Sequence, residues 1–359
     1  MLWMRAVIGL CAVLAVAAPT AHAEEPFYKG KRLNLLINFA AGGPSDIEGR
    51  LLVKHLVKHL DGAPNIVVQN KDGAGGLIGA TYLGEVGPKD GTMFGYITAA
   101  AWSYVTDPAA FRVDLKSYEF IGFQPGNAVY YLRADTGPGI KAGTDIMQAK
   151  GLVAGGLSAD SSKDILIRLA LDMLGLQYRY VTGYRSNTAA RLALQQNEIN
   201  FFSETTPAYF SVVDPSMTKK GLVIPTWYDP NYNGATFSAP KVMEGSPALP
   251  FHEFYRKVKG ATPSGPLWDV YRTNLAVDSA MLRLIAMPPG SPQAAVVALR
   301  TAIARLNDDK EYAEEAMKAI QFVPHYETDA NINAQVRQRL EVKPEIRQFV
   351  ADYIKSAKR

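Results

Sequence analysis

From residue 33 onward, short apolar runs alternate with longer stretches of helical period, and this alternation constrains the chain more than any other feature. Strands fed one after another through helices build a largely parallel sheet, so the pattern specifies the α/β class. Leu33 to Phe39, Asn65 to Gln69, Thr92 to Thr98 and Glu119 to Gln124 read as strands, with helices over Ser45 to Leu60 and Gly76 to Val86 between them. The period restarts with strands at Leu152 to Gly156, Tyr178 to Thr182, Ile199 to Ser203 and Leu222 to Tyr228, around helices at Ser161 to Leu174 and Ser186 to Gln196. Val129 to Arg133 reads as the crossing into a second lobe, and the Pro/Gly-rich stretch from Asp229 to Pro250 as the crossing back. The expected organisation is one lobe from 24–128 plus 251–359 and another from 129–250, with a cleft between them. Ligands of open α/β sheets bind at the carboxyl ends of the strands.

With 48% hydrophobic and 20% charged residues, the 359-residue chain has material for a large core. Its 38 basic and 34 acidic residues are interspersed, with no basic run to track a phosphate backbone, so a nucleic-acid partner is not expected. Cys11 is the only cysteine, too few for a disulfide framework or a thiolate metal cage. It falls within residues 1–23, which read as a cleaved signal: Arg5 supplies the charged start, Ala6 to Ala18 the apolar run, and Ala21-His22-Ala23 the small-residue cleavage site. Cleavage leaves Glu24 first and implies an exported protein. No later segment approaches 18 apolar residues.

Two glycine-rich turns carry the functional signal. In Asn38-Phe39-Ala40-Ala41-Gly42-Gly43-Pro44-Ser45-Asp46-Ile47-Glu48 a strand passes through two glycines into a helix, and Ser45 with Glu48 fits a capping box. Glycines before a helix start let amides turn toward an anion, which the helix dipole favours, although Asp46 and Glu48 oppose one. The second turn is Asn70-Lys71-Asp72-Gly73-Ala74-Gly75-Gly76-Leu77-Ile78-Gly79. Counted from Gly73, the third glycine of a dinucleotide fingerprint falls on Ile78, and no G-K-[ST] follows. Two amide-rich turns without a phosphate-seeking lysine suit a carboxylate better than a nucleotide.

The order F-A-x-G-G-x-[ST]-D, then N-x-x-G-A-G-G-x-x-G-A, then Asp90-Gly91, resembles the Bug-type (TctC-like) periplasmic solute receptors of tripartite tricarboxylate transporters. The resemblance extends to Val181 to Ser186, to Asn200-Phe201-Phe202-Ser203-Glu204 and to Met287-Pro288-Pro289-Gly290-Ser291-Pro292. It implies a two-lobed periplasmic-binding-protein fold (type II, Venus-flytrap) that closes on a small organic carboxylate in an interlobe cleft. Carried over by position, it nominates Ala41, Gly42, Gly43, Ser45 and Asp46 on the first turn, Gly73, Ala74, Gly75 and Gly76 on the second, and Thr98 at the third strand end. Ser158, Tyr184, Arg185 and Glu204 are the candidates on the second lobe, where Arg185 would meet a second ligand carboxylate. Ala41 and Asp72 stand where the family has proline, Gly183 is an insertion, and Ser186 and Asn200 replace glycine and aspartate. The later changes fall where the distal end of a ligand would be read.

His55 and His59 have the spacing of a metal pair but lack a third ligand, and read as a packed or solvated pair. His252 and His325 are isolated, and Gly156-Leu157-Ser158-Ala159-Asp160 lacks the glycines of a nucleophile elbow. Trp102, Tyr104, Tyr130, Tyr131, Tyr184, Tyr209 and Trp227 read mainly as packing. The expectation is a monomeric, non-enzymatic receptor with no metal or cofactor, serving the large and small membrane subunits of a tripartite transporter. A periplasmic sensor for a signalling receptor, and then a periplasmic hydrolase, are the alternatives.

Overall fold

The structure, a computed structural model, describes residues 25–357, so the expected signal at 1–23 lies outside the described residues. In chain order the first lobe builds β1 (Arg32–Ile37), α1 (Pro44–His59), β2 (Asn65–Asn70), α2 (Leu77–Glu85), β3 (Met93–Thr98), α3 (Ala100–Thr106) and β4 (Glu119–Gln124). Across Pro125 to Asn127 come β5 (Ala128–Arg133), β6 (Leu152–Gly155), α4 (Ser162–Met173), β7 (Tyr178–Val181), α5 (Asn187–Gln195), β8 (Phe201–Thr205) and α6 (Thr206–Ala208), which runs on into a wide helical segment, Tyr209–Thr218. Then follow β9 (Val223–Tyr228), β10 (Asn231–Tyr232), β11 (Phe237–Ser238), β12 (Leu249–Pro250), α7 (Phe251–Lys259) and α8 (Pro266–Asn274). The chain closes with β13 (Arg283–Met287), α9 (Gln293–Leu306), α10 (Lys310–Ile320), α11 (Ile332–Arg339) and α12 (Pro344–Ser356).

Two sheets result, ordered β2-β1-β3-β13-β4 and β12-β9-β5-β8-β6-β7. They are less parallel than the strand–helix alternation predicts. β1 runs parallel to β2 and β3, and β6 to β7 and β8, but β13 is antiparallel to β3 and β4, and β5 to β8 and β9. β5 and β13 are the strands by which the chain changes lobes. Each enters its sheet from the edge where the helix-fed strands end, and so must run against them.

The return crossing also comes later than the expected boundary at 251. The Pro/Gly-rich stretch forms the β10–β11 hairpin and β12, and α7 and α8 pack on the second sheet. Trp227 of β9 is the reason: Phe251 and Phe254 of α7 place their rings 5.5 and 5.1 Å from it, and Tyr271 of α8 stacks 4.7 Å from Phe251. Removing that aromatic surface from water outweighs a short return path. The chain leaves the second lobe only through Leu275–Ser279.

A buried charge pair ties the first lobe together. Glu48 of α1 takes a two-pronged bond from Arg283 at the start of β13, both contacts 2.9 Å, and both residues are almost wholly buried. The Tyr96 hydroxyl lies 3.0 Å from Glu48 and 3.1 Å from Gln124, the last residue of β4. The group thus joins α1 to the strand by which the chain leaves the lobe and the strand by which it returns. In the second lobe a carboxylate is buried in an aromatic setting. Asp229 accepts from the Tyr130 and Tyr271 hydroxyls, and burial pushes its carboxyl up to about 7 despite those bonds.

Glu48→Ala should cost about 3–5 kcal/mol in urea unfolding, because it leaves Arg283 buried and uncompensated, whereas the double change Glu48→Leu with Arg283→Met should recover most of that. Asp229 should make stability fall as pH rises from 3.8 to about 7, since the folded carboxyl keeps a proton that the unfolded chain has released. Unfolding measured across that window should lose this slope in Asp229→Asn, and a slope unchanged by the substitution would assign it to other groups.

Candidate functional site

The two glycine turns and the end of β3 converge at the carboxyl ends of β1, β2 and β3, and Asn38 holds them there. This fully buried residue follows β1. Its side-chain amide donates to the Gly76 and Thr98 carbonyls, each 2.9 Å, and its oxygen accepts the Thr98 N–H at 2.9 Å. Gly76 is required beneath it, since a Cβ there would sit 2.5 Å from the Asn38 amide nitrogen. Asn38 is not among the residues nominated from the sequence. A polar residue at the end of an apolar strand run was the available signal.

The first turn differs from expectation. Ser45 is not the helix cap: α1 starts at Pro44 with Gly43 as its N-cap and no side-chain cap. Proline suits the first helical position, where an N–H has no partner anyway. Ser45 instead bonds Thr98 through their hydroxyls at 3.0 Å, and Glu48 turns inward to Arg283. Asp46 faces the turn's own backbone. It accepts the Gly42 N–H at 2.8 Å, Asn70 at 2.9 Å and Arg50 at 2.9 Å. Burial raises its carboxyl, but these bonds outweigh burial and hold it below the usual range. The Gly43 N–H goes to the Ala40 carbonyl at 3.3 Å. Gly42 and Gly43 therefore shape the turn and do not present free donors, while Ala41 stays exposed.

The second turn leaves more of its backbone unpaired. Ala74, Gly75 and Gly76 follow one another at positive φ of 46°, 63° and 95°, a run that winds the backbone left-handed. The Gly76 N–H bonds the Gly73 carbonyl at 3.0 Å, whereas among the described residues the amides of Gly73, Ala74 and Gly75 have no backbone acceptor. Ala74 and Gly75 are exposed, and a Cβ on Gly75 would meet nothing within 4 Å. Successive unpaired amides of this kind are the backbone feature with which proteins hold anions.

The second lobe presents its own strand ends. Asp164, at the third position of α4, is fully buried and accepts the Ser158 N–H at 3.1 Å, the Ser161 hydroxyl at 2.9 Å and the Tyr180 hydroxyl. Ser158 is exposed on that loop, its hydroxyl bonded to Asp160. Arg185 is exposed and forms no ion pair among the described residues, and Tyr184 is half-buried against the packing of that lobe. Glu204 is not an exposed contact. It is wholly buried and paired with Arg191; burial raises its carboxyl while Lys163 and Arg191 oppose the rise. Lys163, unnoticed in the sequence, bonds Asn187 at 2.7 Å and lies 3.9 Å over the Phe202 ring. Within the second lobe Ser162 of α4 bonds Asn274 of α8 at 3.1 Å, and the lobes touch at Asp278, which lies between Ser162 and the Trp102 backbone of α3. Apart from Tyr184, the aromatic residues singled out from sequence are buried packing.

His55 meets Glu315 of α10 at 2.9 Å and His59 meets Asp309, the N-cap of that helix, at 2.7 Å, and among the described residues no group of three or more potential ligands is placed for a metal. A recess of about 620 Å³ lies between the β10–β11 hairpin, α8 and the α11–α12 segment, another of about 260 Å³ lies between the hairpin, the end of β4 and α11, and none of the glycine-turn residues lines them.

No family model matches the chain. A Cupriavidus necator protein described as "UPF0065 protein in gbd 5'region" is 31% identical over 118 residues, a stretch covering 30% of this chain and 35% of that relative. The chain thus spans about a third of the curated relative it matches. Among solved structures, a TctC solute-binding protein from Polaromonas superposes with a TM-score of 0.61 at 18% identity, covering 92% of this chain and 99% of that one. An R. palustris protein with adipate gives 0.63 at 16% identity, covering 90% and 97%. At these identities the likeness establishes the fold, which is the two-lobed α/β architecture of the TctC/Bug periplasmic solute-binding proteins.

Asn38→Ala leaves the Gly76 and Thr98 backbone groups without their partner at roughly 1–3 kcal/mol each. Thermal unfolding should show a loss of about 3 kcal/mol, with amide exchange accelerated first at Gly76 and Thr98.

Proposed function

We propose that this chain is a periplasmic solute receptor that binds a small organic carboxylate between its lobes and delivers it to the large and small membrane subunits of a tripartite-type transporter. The observation that carries the reading is the second glycine turn, where Gly73, Ala74 and Gly75 are three consecutive amides without a backbone acceptor among the described residues, at the start of the left-handed run Ala74-Gly75-Gly76. Three N–H groups on a concave backbone match the two oxygens of a carboxylate and supply no general base, nucleophile or metal. The adipate in the R. palustris neighbour supports the ligand class.

Binding and closure are one equilibrium. A ligand held by the second glycine turn and also touched by the second lobe binds the closed form better than the open one, and closure follows from that difference. Thr98 and Ser45, linked to each other, complete the first-lobe side. Ser158, Tyr184 and Arg185 approach from the second lobe, where Arg185 would form a fork with a second carboxylate group. Glu204 acts beneath them, as the counter-charge that fixes Arg191 and Lys163. The protein works as a monomer without cofactor, is not an enzyme, and reaches the periplasm by its cleaved leader, so the exported product should begin at Glu24.

The protein purified from the periplasm, screened by thermal shift against aliphatic diacids, citrate, aromatic acids and acidic amino acids, should respond to one class. Its stabilisation should reach about 2.7 kcal/mol at about a hundredfold excess over Kd. Gly75→Asn is the variant to use. Asparagine tolerates the left-handed conformation, while Gly75→Pro would break the turn, because proline cannot reach a φ of 63°. Gly75→Asn keeps the N–H and should unfold like the parent, but its side chain enters the open space beside the amides and should block the ligand response. A full response in that variant would remove the second turn from the site.

A further inference from the structure

Arg168, in the middle of α4, is 3% exposed yet forms no ion pair among the described residues. Its guanidinium lies between two rings, 5.2 Å from the centre of Tyr180 and 4.6 Å from that of Tyr353 on α12. One terminal nitrogen donates to the Ala159 carbonyl at 2.8 Å, the other to the Tyr353 carbonyl at 3.4 Å. The Tyr353 hydroxyl returns to α4 and bonds Asp172, which also accepts from Tyr178 at 2.9 Å.

Three features give this joint a function. Ala159 belongs to the loop between β6 and α4 that presents Ser158. Tyr180 touches both ends of the arrangement, since its ring backs Arg168 while its hydroxyl bonds Asp164, the carboxylate that takes the Ser158 N–H. And α12 is not confined to one lobe: it follows α11, which packs on β4 of the first sheet, and it rests on α3 of the first lobe and α8 of the second. A displacement of α12 therefore pulls on a buried guanidinium whose other contacts are the loop at Ala159 and the ring of Tyr180.

We propose that α12 is a strap across the two lobes and that Arg168 and Tyr353 are positioning residues, through which the strap sets the conformation of the 156–161 loop. Resting on the receptor reading, the strap then governs how firmly that loop meets a bound carboxylate, without Arg168 or Tyr353 touching the ligand. A guanidinium suits this role because its planar fork holds the Ala159 and Tyr353 carbonyls while its faces stack on the two rings.

Hydrogen exchange on the ligand-free protein tests the coupling. In Tyr353→Ala, amides of 156–161 should exchange about tenfold or more faster than in the parent, while β1 and β3 amides keep their rates. Tyr353→Phe keeps the ring over Arg168 and should restore slow exchange, and Arg168→Ala should match Tyr353→Ala. Unchanged loop exchange in Tyr353→Ala, or equal acceleration in the β1 and β3 amides, would overturn the strap. A second arm adds the carboxylate panel to the parent protein. Failure of every carboxylate to slow the loop would count against the receptor reading alone, because the comparison of variants is made without ligand.

Discussion

The bond between Glu48 and Arg283 fixes where everything else in the first lobe can be. A carboxylate and a guanidinium removed from water are tolerated only when each satisfies the other with good geometry. Here the pair is two-pronged and backed by the Tyr96 hydroxyl. Glu48 lies one helical turn into α1, Arg283 opens β13, and Gln124 beyond Tyr96 closes β4. The orientation of α1, which carries the first glycine turn at its start, is thereby tied to the two strands through which the lobes are joined. The site's first wall and the junction between lobes share one polar anchor.

Each lobe then uses the same local device to shape its loop. Asp46 and Asp164 both stand at the third position of the first long helix of their lobe, both are buried, and both reach back to a backbone N–H of the preceding turn, Gly42 in one case and Ser158 in the other. A helix start favours negative charge, so an acidic residue there is stabilised by the helix while it fixes the loop. The two turns of lobe one differ as a result. The first commits the Gly42 and Gly43 amides internally, whereas in the second, among the described residues, the amides of Gly73, Ala74 and Gly75 have no backbone acceptor.

Much of the fold was legible in the chain because its signals are local. The strand at Glu119 to Gln124 and the helix over Ser161 to Leu174 appear where the apolar period puts them, the helix as Ser162–Met173. The helices α7 and α10 were not legible, being short and rich in charge, with an apolar stripe of only a few residues. Phe251 and Phe254 look like stray aromatics until Trp227 is known to lie under them. The site shows the same split. The glycine turns stand out because a left-handed backbone demands glycine. Which of their amides are free depends on Asp46 and Asn38, whose partners lie up to 60 residues away. Glu204 shows the same dependence: a charged residue at a strand end reads as a surface contact unless a cation on the preceding helix, here Arg191, covers it.

The sequence by itself determined the class, the two rounds of strand–helix alternation, the turns that had to be glycine, and the exclusion of a thiolate cage or a nucleotide fingerprint. These follow from period, backbone freedom and residue chemistry, which act over a few neighbouring residues. The tertiary structure alone decided that Glu48 faces Arg283 and does not cap its helix, that the return crossing waits until the aromatic core of the second lobe is complete, and that the second turn holds the open amides. Each of these is a choice among partners distant in the chain, settled by which buried polar group would otherwise be left unpaired and which apolar surface would otherwise stay in water.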